Sequence, residues 1–161
     1  MRIGLGIDIH AFAEETDGRP LVLGGITVEH ERGLEGHSDA DVLIHAVIDA
    51  LLGAARLGDV GELFPDTDPR FKDANSLLLL KDTGLLLQDH GFVVIDIDCV
   101  IIAQRPRLSP YRDMMRCSIA QALALDVKNV GVKATTSEHL GFEGREEGIS
   151  AYAVALIQPV T

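Results

Sequence analysis

The stretch ADVLIHAVIDALLGAAR, Ala40 to Arg56, has apolar residues on almost every side of a helix. A helix with this pattern is buried on most of its surface, so we expect further layers of structure to enclose it. Ser38 or Asp39 lies just before it and is a candidate N-cap. The stretch therefore predicts a buried central helix that ends near Arg56.

Runs of β-branched and apolar residues elsewhere predict the sheet that covers this helix. The expected strands span residues 2–8, 92–104, 129–135 and 149–158, with a hairpin at residues 21–30. The hairpin turns at Gly24 and Gly25. A second helix is capped by Asn75 or Ser76 and runs to residue 90, and a third starts at Pro110 and runs to residue 125. This order predicts an α/β (α+β) fold, in which a single domain, residues 1–161, has a mixed sheet with helices packed on one face.

The composition excludes several classes of partner. A formal net charge of −11 disfavours nucleic-acid binding and electrostatic attachment to a membrane, and no apolar run is long enough to span one. The N-terminus MRIGLGID lacks the features of a signal peptide. We expect a cytoplasmic protein, or a plastid one if a transit peptide has been removed. Cys99 and Cys117 lie in apolar runs without CxxC spacing, which predicts two unreactive core thiols.

A metal site is predicted where the first strand ends and the central helix begins. In GIDIH, Asp8 and His10 share one face of the strand, opposite Ile7 and Ile9. The strand is expected to be buried. On the helix, His45 belongs to a stripe with Asp41 and Asp49, one turn apart on either side.

Such a stripe in a buried helix must be paired or must bind a ligand. Taken alone, His45 is also compatible with a hydrogen-bonded core histidine. Together, Asp8, His10 and His45 offer three metal ligands and leave one tetrahedral position open, as in catalytic zinc sites. Asp49 is either an orienting partner of His45 or a solvated carboxylate.

Polar loops supply further candidates, each with a structural alternative. His37 and Ser38 lie in a loop that enters the helix. The irregular segment LGDVGELFPDTDP carries four acids, of which Asp59 is the best candidate for contact with a substrate hydroxyl. In KATTSEHLGFEG, hydroxyl groups beside Glu138 suit phosphate and a divalent cation, or a capping box that starts at Thr135. Arg105 and Arg107, in AQRPRLSP, are phosphate contacts or solvated side chains.

Five motifs in order resemble one family over nearly the whole chain. They are RIGLGIDIHAF, GHSDADVLIHAVIDALLGAA, GDVGELFPDTDP, DCVIIAQRP and VKATTSEHLGFEGREEGI. The family is that of the 2-C-methyl-D-erythritol 2,4-cyclodiphosphate synthases of the non-mevalonate (MEP) pathway of isoprenoid and terpenoid biosynthesis. The resemblance implies a phosphorus–oxygen lyase that converts 4-diphosphocytidyl-2-C-methyl-D-erythritol 2-phosphate to the cyclic diphosphate and CMP. It also implies a homotrimer whose active sites lie between subunits.

The same resemblance implies two divalent metal ions and a set of site residues. Zinc or manganese is expected at Asp8, His10 and His45, and magnesium or manganese at the diphosphate and Glu138. His37 and Thr136 match positions credited with transition-state stabilisation. The matching substrate contacts are Asp8, His10, His37, Ser38, Asp59, Val60, Gly61, Phe64, Asp66, Asp68, Ala103, Arg107, Leu108, Ser109, Thr135, Thr136, Ser137, Glu138, Phe142 and Arg145.

A few residues depart from the family pattern. Phe142, Arg145 and Glu147 match the central trimer cavity, which implies a possible isoprenoid diphosphate ligand there. Glu143 and Glu146 replace smaller residues, so we expect their charge to weaken such a ligand. His139 stands where a lysine is common, which puts the second metal in question.

Two other functions fit the same residues. A metal-dependent phosphohydrolase would use water in the open metal position and release inorganic phosphate. A non-catalytic, zinc-containing oligomeric binding module would instead lose its fold when the metal is removed.

Overall fold

The computed structural model describes residues 1–160 and shows a mixed sheet with helices on one side. Strands β1 to β6 span Arg2–Ala11, Leu21–Leu23, Ile26–Val28, Phe92–Ile102, Val130–Thr135 and Gly148–Pro159. Helices α1 to α5 span Val42–Ala55, Val60–Leu63, Ser76–Asp89, Arg112–Ala122 and Gly141–Gly144. Three short 3-10 turns lie at Glu15–Asp17, Pro69–Phe71 and Val127–Asn129. The predicted α/β class is confirmed.

The main sheet has four strands in the order β1-β6-β4-β5. β6 is antiparallel to both of its neighbours, and β4 and β5 are parallel, joined by a crossover through α4. β2 and β3 form a separate hairpin that turns at Gly24 and Gly25, whose φ angles of 61° and 74° are those of a tight hairpin turn. The hairpin prediction is therefore confirmed.

The central helix α1 lies directly on β1 because the strand has glycines where the two elements touch. A Cβ atom on Gly4 would lie 1.9 Å from the carbonyl oxygen of Ala50, and one on Gly6 would lie 2.0 Å from that of Ala46. No side chain fits in this contact. Backbone packs against backbone, and this brings α1 close enough for its side chains to reach those of β1.

The opposite face of the sheet is uncovered in the single chain. Ile3, Leu5, Ile7 and Ile9 of β1 are 46% to 65% exposed. The expectation of a buried strand is therefore wrong for this face, because α1 and the helices α3 and α4 that pack beside it lie on the other side. A row of four exposed branched apolar residues is an apolar patch of the kind that often marks an interaction surface.

Several local predictions need correction. Asp41, rather than Ser38 or Asp39, caps α1 and accepts a hydrogen bond from the N–H of Ile44. Asn75 caps α3 as predicted. The third long helix starts at Arg112, two residues beyond Pro110, and ends at Ala122.

The two cysteines differ in environment. Cys99 is buried in β4, where burial and the charge of Asp98 raise its pKa to about 12. Cys117 is exposed on α4, so its predicted core position is wrong. Within residues 1–160, none of the helices has the length and apolarity that a membrane span requires.

Candidate metal centre and active site

Asp8, His10 and His45 converge on one point. The Oδ2 atom of Asp8 lies 3.0 Å from His10 Nε2 and 3.0 Å from His45 Nδ1, and the two ring nitrogens are 3.3 Å apart. Tetrahedral ligands about 2.0 Å from a zinc ion are separated by roughly 3.3 Å, so these three atoms already have the spacing of a metal site. One carboxylate and two imidazoles suit a zinc-type divalent cation.

Two elements position these three ligands. The alternation of β1 points Asp8 and His10 towards α1, on the same face as Gly4 and Gly6. His45 lies in the first turn of α1, next to Ala46, whose carbonyl oxygen faces Gly6. The close contact between strand and helix therefore sets the distance between the ligands.

The ionisation of Asp8 supports cation binding, whereas His10 has to be in its neutral form to bind a metal ion. Burial opposes ionisation of Asp8, but hydrogen bonds and positive charge from His10 and His45 outweigh it and hold the pKa of Asp8 well below its usual range. Burial likewise opposes protonation of His10, but the hydrogen bond and charge of Asp8 outweigh it and raise the pKa of His10. Asp8 is therefore an ionised ligand at neutral pH.

The outer nitrogens of both histidines are also engaged. His10 Nδ1 lies 2.5 Å from the carbonyl oxygen of Glu35. His45 Nε2 lies 3.0 Å from Ser76 Oγ and 3.3 Å from Ser38 Oγ. Asp49 has a different role, since its carboxylate accepts the N–H of Val60. It therefore does not orient His45.

Asp41 has a structural role. Its two carboxylate oxygens accept the N–H groups of Gly24, Gly25 and Ile44, so it joins the hairpin turn to the start of α1. The side chain is fully buried, and burial raises its pKa to about 6 against the opposing effect of the three N–H donors. The predicted stripe contains two acids, and these contacts account for the buried Asp41. No bound ligand is needed to explain its position.

A cavity of about 400 Å³ opens beside the three metal ligands. Its lining includes most of the loop residues predicted on that side of the site: His37, Ser38, Val60, Gly61, Phe64 and Asp66. Among the described residues, His37 Nε2 is buried without a hydrogen-bond partner. Asp59 and Asp68 lie outside the lining. Asp59 caps α2, and Asp68 pairs with Arg70.

A second cavity, of about 760 Å³, lies between the segment after β4 and the end of β5. The predicted residues in its lining are Ala103, Arg105, Arg107, Leu108, Ser109, Thr135 and Thr136. His30, Glu31 and Arg112 also line it, although no local sequence pattern marks them as site residues. The ring of His30 packs on Phe12, and its burial lowers its pKa.

Thr136 and Glu138 lie side by side in the segment that follows β5. Thr136 Oγ1 donates to the Glu138 carboxylate at 2.9 Å, and Ser137 Oγ donates to the carbonyl of Leu140. Glu138 has a left-handed φ of 53°, and the next helix begins only at Gly141, so the predicted capping box at Thr135 is absent. His139 donates its backbone N–H to Gln104.

Phe142 and Arg145 lie outside both cavities, at α5. The guanidinium of Arg145 pairs with both carboxylate oxygens of Glu147, at 2.8 and 3.0 Å. Glu143 accepts the hydroxyl of Ser150, and Glu146 lies 3.9 Å from Arg105. The two acids that depart from the family pattern, Glu143 and Glu146, therefore contact residues other than Arg145.

The two cavities share no lining residue. His37 and Thr136, both predicted to act on the transition state, lie on different ones. The chain thus has two separate cavities, one beside the candidate metal ligands and one lined by hydroxyl and backbone groups.

Comparison with known proteins agrees with these features. The profile of the YgbB family matches residues 1–158. The chain belongs to this family. A family relative from Syntrophobacter fumaroxidans, named 2-C-methyl-D-erythritol 2,4-cyclodiphosphate synthase, is 59% identical over 158 residues, which are 98% of each chain. The resemblance seen in the sequence is confirmed.

Solved structures of proteins with similar sequences have the same fold. The bifunctional IspDF from Campylobacter jejuni matches with a TM-score of 0.93 and 46% identity, over 98% of this chain and 42% of the longer protein. The CDP complex of IspF from Plasmodium falciparum matches with a TM-score of 0.86 and 32% identity, over 99% of this chain and 97% of the other.

Proposed function

We propose that the protein converts 4-diphosphocytidyl-2-C-methyl-D-erythritol 2-phosphate to 2-C-methyl-D-erythritol 2,4-cyclodiphosphate and CMP. The observation that carries the proposal is the Asp8, His10 and His45 cluster beside a cavity of about 400 Å³, in a chain whose relatives bear this enzyme name. An oxygen of the 2-phosphate attacks the β-phosphorus, and the bond from that phosphorus to the bridging oxygen breaks. The bond electrons leave with CMP, which makes the protein a phosphorus–oxygen lyase.

The residues of the chain orient the substrate and hold its charge. Phosphoryl transfer needs in-line positioning and charge neutralisation more than a protein nucleophile. When bound, a zinc or manganese ion at Asp8, His10 and His45 and a magnesium or manganese ion at Glu138 supply positive charge to the diphosphate. His37, with an unpartnered Nε2, is suited to donate to a phosphate oxygen, and the Thr136 hydroxyl to donate to the diphosphate.

The two cavities divide the substrate between them. We assign the methylerythritol phosphate end to Ser38, Val60, Gly61, Phe64 and Asp66 beside the metal ligands. The cytidine end is assigned to residues Ala103, Arg107, Leu108, Ser109, Thr135 and Ser137. The side chains of Asp59 and Asp68 already accept hydrogen bonds from backbone N–H groups, so any substrate contact there has to accommodate or replace those bonds.

In a homotrimer, the cavity beside the metal ligands of one subunit and the cavity assigned to cytidine in a neighbouring subunit form one active site. The exposed apolar face of β1 and the separation of the two cavities support this arrangement, in which a neighbouring chain covers the face and completes each site. We propose that further copies of this chain cover Ile3, Leu5, Ile7 and Ile9 and bring the cytidine cavity of one subunit to the metal cavity of the next.

A ligand at the predicted central cavity is expected to bind weakly. The Arg145 guanidinium already pairs with Glu147, so an isoprenoid diphosphate has to displace that carboxylate. The nearby Glu143 and Glu146 add repulsion. The cytoplasmic location stays a prediction.

Phosphorus NMR tests the reaction. The metal-supplemented protein is incubated with the substrate beside a His45→Ala variant. We expect the cyclic diphosphate and CMP with the intact protein alone. Release of inorganic phosphate would establish the hydrolase instead, and an untouched substrate with metal bound would indicate a structural metal site.

A further inference from the structure

We infer that Asp39, acting through Ser76, holds His45 in the tautomer that carries its proton on Nε2, so that Nδ1 remains free to bind metal. The inference rests on the proposed metal site and adds two positioning residues to it. Neither residue belongs to the predicted ligand or substrate sets. Both come from segments that join at the site, the loop before α1 and the first residue of α3.

Ser76 links the carboxylate to the ring. Its hydroxyl and its backbone N–H both donate to Asp39, the second at 2.9 Å. On the other side, Ser76 Oγ lies 3.0 Å from His45 Nε2. Ser76 is fully buried, so water does not compete for these contacts.

The number of available protons determines which group donates in each hydrogen bond between Asp39, Ser76 and His45. A carboxylate accepts only, and a serine hydroxyl has one proton. The Ser76 proton therefore goes to Asp39, and Ser76 Oγ accepts from the ring. His45 then donates from Nε2, and the lone pair lies on Nδ1, which faces Asp8 and His10 at 3.0 and 3.3 Å.

A competing tautomer makes this control necessary. Asp8 Oδ2 also lies 3.0 Å from His45 Nδ1, and without metal it favours a proton there. Ser38 Oγ, 3.3 Å from Nε2, is able to donate in that case. His45 thus lies between two carboxylates that favour opposite tautomers, and the Asp39–Ser76 pair favours the one that leaves a metal ligand.

His10 shows the same principle without a side-chain partner. Its Nδ1 faces the backbone carbonyl of Glu35, which only accepts, so its proton lies on Nδ1 and its Nε2 is free for metal. A backbone carbonyl has a fixed polarity. A hydroxyl does not, and Asp39 is what fixes the polarity of Ser76.

The test compares Ser76→Ala, Ser76→Thr and Asp39→Asn with the unmodified protein. Zinc affinity is measured by competition with a chelating dye. The removal of an orienting partner typically weakens metal binding about 10-fold to 100-fold, and we expect losses of that size for Ser76→Ala and Asp39→Asn. Ser76→Thr keeps the hydroxyl and is expected to stay within about threefold.

A second readout reports the tautomer directly. Long-range proton–nitrogen NMR of the metal-free protein, recorded well above the usual imidazole pKa, identifies which ring nitrogen carries the proton. We expect Nε2–H in the unmodified protein and in Ser76→Thr. In Asp39→Asn the amide can donate to Ser76, which turns the hydroxyl towards the ring, so we expect Nδ1–H.

Loss of packing alone would lower the melting temperature without moving the ring proton. The inference is overturned if metal-free His45 carries its proton on Nδ1 in the unmodified protein, or if Asp39→Asn leaves both affinity and tautomer unchanged. Should Ser76→Ala fail to fold, the Asp39→Asn comparison still decides. Neither readout uses the substrate, so failure of the proposed reaction leaves this test intact.

Discussion

The metal cavity and the cytidine cavity differ in how far one chain completes them. Around Asp8, His10 and His45, ligand atoms lie at metal spacing and their outer atoms have partners. Around Thr136 and Glu138, by contrast, the side chains are exposed and bond mainly to each other. A single chain therefore organises the candidate cation site by itself, whereas in our proposal a neighbouring chain completes the site for the anionic substrate.

The strand β1 is the origin of this division. One of its faces has Gly4 and Gly6 in backbone contact with α1, together with two metal ligands. Its other face has four exposed apolar residues. One strand therefore holds the metal centre within the chain and, in our proposal, holds the neighbouring chain as well.

The largest effect is expected when the neighbour is removed. Leu5→Glu places a charge in the proposed interface, which is strongly unfavourable once desolvated. We expect a monomer by light scattering and a loss of at least about a hundredfold in activity, because each site loses a contributing half. Zinc binding should persist, since its ligands lie in one chain.

Leu85→Glu is the matched control for this substitution. Leu85 is 49% exposed on α3 and Leu5 is 61% exposed on β1. The same change at Leu85 is expected to leave assembly and activity intact. If Leu5→Glu forms a fully active trimer, the exposed apolar face of β1 is not the contact surface between subunits.

An intermediate effect is expected from widening the contact between β1 and α1. In Gly6→Ala the new methyl meets the Ala46 carbonyl oxygen, so α1 has to move. We expect a loss of about 1 to 3 kcal/mol in the free energy of unfolding and about tenfold in zinc affinity, measured by denaturant titration and dye competition.

Gly53→Ala provides the comparison for Gly6→Ala. No heavy atom lies within 4 Å of a Cβ built on Gly53, which is inside α1. Because alanine is the better helix former, we expect a gain of up to about 1 kcal/mol in stability. Equal effects of the two substitutions would contradict the special tightness assigned to Gly6.

The smallest effect is expected at Asp49. Asp49→Asn keeps an oxygen that accepts the Val60 N–H, and the side chain does not bond to His45. We expect zinc affinity within about twofold of the unmodified protein, in contrast to Asp39→Asn. A tenfold loss would return Asp49 to the role of an orienting residue.

Patterns of local sequence were sufficient for most of the fold and for the candidate metal ligands, which the structure brings together. The buried helix followed from its apolar surface, and Asp8, His10 and His45 from residue types and spacing on a strand and a helix. The motifs then led to the family. These features depend on periodicity, which a sequence displays directly.

Features that depend on long-range contacts were missed. Asp39 and Asp41 both resemble helix caps, yet Asp39 bonds to Ser76 and Asp41 also binds the hairpin turn. Ser76 is 31 residues from His45, and no local pattern connects them. The exposure of Leu5 was missed because an apolar residue that faces another chain looks like one that faces the core.

The central claim is that each active site combines the metal ligands of one chain with the cytidine cavity of another. Two inactive variants test it: His45→Ala, and a double variant, Thr136→Ala with Glu138→Ala. Each alone should have little activity. Coexpressed with different tags and purified through both, they form mixed trimers in which some sites receive two intact halves.

Every doubly tagged trimer contains two subunits of one variant and one of the other, so one of its three sites receives two intact halves, and we predict recovery of about a third of the unmodified activity per site. Doubly tagged mixed trimers with no more activity than the separate variants would show that both halves come from one chain. That result would contradict the account.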